Sequence, residues 1–368
     1  MTNKFNINMF TTTSIMVAAL ALSACGGGSS SAGTPASSGS SDTGTTSSGS
    51  GSTNTGSTNT GGTTTGGTTT TTAQVPAGTT NTTASYAAGS GEAAIFTKIN
   101  SYRSACGLPA FSQNTILDAA AASHVTYMAD ATGTVTDTEA VGQPGFTGAT
   151  ATDRAVAKGW PNSIGVGTQS AGVINNSLST PAQYGGAAAD AWSTGVYHQM
   201  ILTYPANLAG VATGSVINTG YYEYLTSINF ASDGTAASKI TSAPATFPCQ
   251  GITGIPPKGA GESPRPPVYQ TYTTSGGTVY QWGTPVTVVG NLTDTVTLTT
   301  ASMTAPDGTV IQMNVLTSAT DPAHLILPNA SVAWPTNVLS SNTTYTVNLT
   351  GTYNGQAFSR SFTFTTGS

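Results

Sequence analysis

The sequence predicts an α+β protein in which a mixed helix–strand unit precedes an all-β unit, both behind a disordered tether. Three observations predict it. Residues 26–85 are dominated by Gly, Ser, Thr and Asn and carry a single charge, Asp42. Between Glu92 and Trp192 apolar residues recur at helical spacing, and strand-like runs follow at 210–217 and 221–230. From residue 268 onward short alternating runs are separated by hairpin signals.

The first segment, residues 1–25, reads as a signal peptide. Lys4 precedes the apolar run Ile15–Leu22, which is far short of the roughly 20 apolar residues that span a bilayer. Leu22-Ser23-Ala24-Cys25 resembles a bacterial lipobox, whose Cys becomes the lipid-modified first residue of the mature chain. Gly26 follows, with no Asp there to suggest inner-membrane retention, so the resemblance implies an outer-membrane anchor on its periplasmic or surface face. Residues 26–85 hold no cluster of aromatic and branched aliphatic side chains to offset ordering entropy, and are expected to be disordered. As a flexible coil of about 60 residues they reach on the order of 40–45 Å.

Charge is scarce: 6% of residues are charged and the formal net is −5. After Lys4 the next basic residue is Lys98, so there is no basic patch for nucleic acid or acidic headgroups. With Cys25 assigned to lipid, Cys106 and Cys249 remain as an even pair in a secreted chain, and a disulfide is expected. Neither lies in a Cys-x-x-Cys spacing, which removes the redox-exchange and zinc-ribbon readings. No Gly-rich loop sits between a strand and a helix start, so nucleotide binding has no support.

In the unit expected at 86–250, Ile95, Ile99, Tyr102 and Cys106 mark one helix and Gly107-Leu108-Pro109 its stop. Leu117, Ala121, His124 and Met128 mark a second, with an Asn114 start; His124 on that stripe reads as a packed core residue. The loop Glu139–Gly148 (EAVGQPGFTG) is rich in turn residues, with Pro144-Gly145 suited to a tight turn. Asn100, Arg103 and Gly107-Leu108-Pro109 open the unit. That loop comes next, followed by Trp192, Ser193 and His198 and the strand at Gly210-Val211. Together they resemble CAP-superfamily (SCP-like extracellular) domains. The resemblance covers about 150 residues and implies an α/β/α sandwich.

CAP domains often carry two His and two Glu around a groove, the His pair able to hold a divalent metal. Here His198 fills one such position, Asp137 aligns with the other His, and Val166 stands where a Glu is usual. Val166 can be neither base nor ligand, and a metal needs several convergent ligands, so neither metal nor cofactor is expected. The candidate catalytic residues are His198, Glu139 and Asp137; Glu139 reads more readily as a carboxylate bonding loop amides, and His198 equally as a residue bracing the turn after the helix. The candidate groove residues are His198 with walls from Trp192, Tyr197 and Phe146.

Residues 251–267 form a Pro-rich, stiff connector, and 268–368 the second unit. Val286–Val289, Val296–Met303 and Tyr345–Leu349 alternate, with Asp307-Gly308 and Asn354-Gly355 as hairpin turns. Such spacing argues a β-sandwich. Leu339-x5-Tyr345 resembles the tyrosine corner of Ig-like domains, and His324 reads as a loop residue. The expected function is that of an envelope-anchored, non-enzymatic binding protein for an apolar or glycan-like ligand. Its partners would be outer-membrane lipid through Cys25 and that ligand, with no nucleic acid. The alternatives are a hydrolase using His198 with Glu139 or Asp137, and a structural adhesin. Neither ligand nor oligomeric state is written in the sequence.

Overall fold

The structure, a computed structural model, describes residues 74–132, 135–218, 221–274 and 277–368. The expected signal peptide, Cys25, Asp42 and nearly all of the expected tether lie outside them. Among the described residues no helix is long and apolar enough to cross a membrane.

Helices α1 (Gly91–Ala105), α2 (Thr115–Tyr127), α3 (Ala151–Val156), α4 (Pro181–Thr194) and α5 (Met200–Thr203) accompany the first sheet. That sheet comprises β1 (Thr80–Asn81), β2 (Ser112–Asn114), β3 (Gly167–Val173), β4 (Leu208–Asn218) and β5 (Tyr221–Ala231). Its order is β1-β2-β4-β5-β3, antiparallel except where β2 meets β4. Alternate residues of β4 divide the core: Val211 packs with Ile95, Ile99 and Trp192 of α1 and α4, whereas Ala212 packs with Ala121 and Val125 of α2. The result is a helix–sheet–helix sandwich.

Local chemistry sets the helix ends. The Ser90 hydroxyl accepts the Ala93 amide at the start of α1, and Asn114 accepts the Ile116 and Leu117 amides at the start of α2. Thr150 with Asp153 and Thr180 with Gln183 form capping boxes on α3 and α4, the latter with Pro181 in its first turn. Arg103, in the last turn of α1, is fully buried over the Phe111 ring. Its guanidinium donates to the carbonyls of Pro109 (2.6 Å), Ile201 (3.1 Å), Leu202 (3.1 Å), Tyr204 (3.0 Å) and Ala206 (2.7 Å). A planar fork with five donors suits this task, and it pins the loop leaving α5.

The remaining strands are β6 (Ala245–Phe247), β7 (Lys258–Ala260), β8 (Gln270–Thr274), β9 (Gly277–Gly283), β10 (Val286–Val289) and β11 (Val296–Thr304). They continue with β12 (Val310–Gln312), β13 (Asn314–Thr317), β14 (Ala330–Trp334), β15 (Thr344–Tyr353) and β16 (Gln356–Thr365). Two four-stranded sheets, β13-β14-β10-β6 and β12-β11-β15-β16, enclose Val286, Val288, Leu298, Met303, Val347 and Phe362. Asn354 and Gly355, both at positive φ (49° and 76°), make the β15–β16 hairpin. The Tyr345 hydroxyl accepts the Ser340 amide at 2.9 Å, tying that strand to the chain before it.

Two features depart from a picture of separate units joined by a stiff spacer. β6, inside the 86–250 stretch, hydrogen-bonds to β10 of the sandwich, with Phe247 opposite Thr287. Within the connector, β7 pairs with β9 in a three-stranded sheet of order β7-β9-β8. One apolar cluster therefore runs from Tyr102 through Phe247 to Val286, and the described residues fall in one compact unit. The expected disulfide joins Cys106 at the end of α1 to Cys249 just after β6.

Candidate functional site

The chain leaves α4 through Gly195 and makes a tight turn, Val196–Gln199, before α5. Its amides converge on one carboxylate, that of Glu262 just beyond β7. The Val196 amide donates to Oε2 at 2.8 Å, and the Tyr197 and His198 amides donate to Oε1 at 2.7 Å each. His198 Nδ1 lies 2.7 Å from the same Oε1 and, facing a carboxylate, is the donor. Gly195 is required: a Cβ there would lie 2.7 Å from Glu262 Oε1 and 2.7 Å from the His198 Cβ. Gly259 likewise has no room for a Cβ against Thr194 O and the Trp282 indole.

The sandwich side fixes this turn further. Trp282 Nε1 donates to Thr194 O at 2.8 Å and the Tyr197 hydroxyl donates to Asp321 Oδ1 at 2.9 Å. Gln199 donates to Pro285 O at 2.9 Å and accepts from the Thr287 hydroxyl at 2.7 Å. Behind His198 and Glu262 remains a cavity of about 10 Å³, bordered also by Ser170, Trp192, Gly195 and Gly261. That volume accommodates roughly one water molecule. Trp192 Nε1, buried, closes no hydrogen bond within the protein.

Asp137 is fully enclosed, and its two carboxylate oxygens have only Ser170 as a weak hydrogen-bond partner. Burial pushes its carboxyl up to about 7, against the smaller opposing pull of the His198 and Arg154 charges and of Ser170. Glu139 has a different setting. It accepts from the Thr147 amide at 2.6 Å and the Gly148 amide at 3.2 Å, faces His124 Nδ1 at 3.0 Å, and lies 3.7 Å from Arg154 Nε. Burial alone would raise its carboxyl. The His124 and Thr147 bonds and the Arg154 charge outweigh that and hold it below its ordinary value. Burial lowers His124 in turn, more than Glu139 raises it.

The residues singled out from sequence thus fall into separate places. Asp137 lies within electrostatic reach of His198, whereas Glu139 is bound up with His124, Arg154 and the Thr147–Gly148 loop. Trp192 borders the small cavity with His198, but it is 1% exposed and belongs to the core under β4. Tyr197 is 0% exposed, in the cluster with Trp282 and Val332, and so does not wall an open groove. Phe146, 36% exposed, stands at the surface on the 139–148 loop. Val166 packs with Leu117 and Trp160. Glu262, the carboxylate facing His198, escaped the sequence reading. Its one signal is solitude, as the only acidic residue between Asp233 and Asp294.

Among the described residues no three His, Cys, Asp or Glu side chains are grouped to hold a metal ion. A roomier concavity lies elsewhere: an open hollow of about 470 Å³ along α1 at the start of α4. Gly89, Ala93, Ala94 and Ala182 give it an apolar lining, with Ser90, Thr97, Lys98 and Ser101 as polar members. Lys98 is paired there with Asp190 at 2.6 Å.

Compared with known families, residues 96–226 match the CAP model, described as the Cysteine-rich secretory protein family. No curated protein matches the chain. The matched stretch contains His124, Asp137, Glu139, Trp192 and His198, and Glu262 lies beyond it.

Proposed function

We propose that the CAP domain at 96–226 and the β-rich region after it form the head of a non-enzymatic binding protein. The head is held at a bacterial outer membrane by a lipid on Cys25. The ligand is amphipathic, an apolar chain with a polar end, and it lies in the hollow along α1. The observation that carries this reading is the contrast in room. The α1 hollow, about 470 Å³, falls in the range of small-molecule sites, whereas the His198 cavity, about 10 Å³, admits no substrate. The hydrolase alternative is disfavoured because the His198 ring, its acid–base candidate on sequence grounds, is committed to Glu262 at 2.7 Å.

The test is capture of envelope lipids by the purified full chain, identified by mass spectrometry, beside an Ala94→Trp variant that fills the hollow. The expected outcome is a lipid retained by the wild type and lost in the variant at unchanged melting temperature. Equal capture by both chains would refute the assignment of the hollow. Hydrolysis of a peptide, ester or glycan that disappears in His198→Ala at unchanged melting temperature would refute the non-enzymatic reading.

A further inference from the structure

We propose that the turn around His198 is a carboxylate-binding site of the CAP domain, held shut in cis by Glu262, and that an acetate-sized monocarboxylate is its class of free ligand. This inference is independent of the α1 hollow. It begins with ownership. All four donors, the amides of Val196, Tyr197 and His198 and the His198 ring, belong to the stretch matched as CAP, whereas the acceptor is supplied from outside it. Distances of 2.7–2.8 Å are those of charge-assisted hydrogen bonds. Buried donors left without an acceptor are costly, so the CAP domain alone is built around a missing anion.

A second observation does not depend on those amides. Trp192, 1% exposed and with its indole N–H unpartnered, borders the same cavity. The site therefore holds more donor capacity than Glu262 uses. Its dimensions restrict what else can enter. Gly195 leaves no space for even one added carbon, and the cavity behind is about 10 Å³. Only a carboxylate with one or two carbons fits without displacing β7. In the intact chain the tethered side chain outcompetes any such ion, because tethering supplies an effective concentration in the millimolar range or above.

Full-length Glu262→Ala and Glu262→Gln chains, with the wild type, would be melted in sodium acetate and in sodium chloride at matched ionic strength. Glu262→Ala is expected to gain thermal stability with acetate in a saturable way. The rise is on the order of 3 °C once acetate exceeds its Kd tenfold. The wild type and Glu262→Gln, whose sites are filled, should show no acetate-specific shift. An equal response in chloride, an equal response in the wild type, or no response in Glu262→Ala overturns the proposal. Should Glu262→Ala fail to fold in chloride, refolding in acetate decides: recovered native protein supports the site, and no recovery overturns it.

Discussion

Replacing Asp137 by Asn should stabilise the protein, and by an amount that depends on pH in a defined way. Asp137 is fully buried with Ser170 as its only weak hydrogen-bond partner, and burial raises its carboxyl from 3.8 to about 7. A carboxyl that binds its proton more tightly in the folded chain stabilises that chain fully below about pH 4. The contribution is lost as pH rises through about 7. At about 1.4 kcal/mol per pH unit, the loss across this window amounts to about 4 kcal/mol. Asn keeps the shape and never ionises. The stability difference between Asp137→Asn and wild type should thus be near zero at pH 4, climb through pH 5 and 6, and level off at about 4 kcal/mol above pH 7.5. Urea unfolding of both chains from pH 4 to 9 measures it, and the subtraction cancels the titration of groups that do not interact with Asp137. A flat difference refutes the reasoning. A difference of opposite sign would mean that the His198 and Arg154 charges hold Asp137 ionised.

Five further outcomes are expected. Replacing Cys106 and Cys249 together by Ser should cost up to about 5 kcal/mol in urea unfolding, since the bond closes a 143-residue separation; an unchanged midpoint refutes this. Trp192→Ala should cost about 3–5 kcal/mol by emptying the core under β4. His198→Ala loses one bond to a charged group, about 1–3 kcal/mol, and leaves lipid capture intact. Arg103→Lys should cost about 2–4 kcal/mol, because an ammonium cannot reach all five carbonyls, and a melt within 1 °C of wild type would contradict that estimate. Cys25→Ser should abolish fatty-acid labelling and release the protein from membranes, and continued labelling of the variant would remove the anchor from the proposal.

Much of the fold is legible because its signals are local. The helix of Ile95, Ile99 and Tyr102, the strands at 210–217 and 221–230, and the Asn354-Gly355 hairpin each follow from residues within one element. The Cys106–Cys249 bond followed from parity alone. What was hidden depends on chain segments far apart in sequence. Nothing in Lys258–Glu262 announces that it pairs with β9 and delivers a carboxylate to residues 64–66 positions earlier. Trp192 and Tyr197 carry ordinary aromatic character, and only the covering strands make them interior. Asp137 is singled out in sequence by its alignment with a CAP histidine, but its burial beside Ser170, Arg154 and His198 depends on segments far from it in the chain.

The exchange of β6 has a consequence for how the chain comes into being. During synthesis or export the polypeptide emerges from its N-terminal end, so Ala245–Phe247 arrives before β10, the strand it pairs with. Until Val286–Val289 follows, the Phe247 strand has no ladder to join and Cys249 is held beside Cys106 by nothing downstream. The head therefore matures as a late, whole-chain event rather than unit by unit. A polypeptide cut short between residues 250 and 285 would carry Ala245–Phe247 as a strand without its partner, a liability for proteolysis and aggregation.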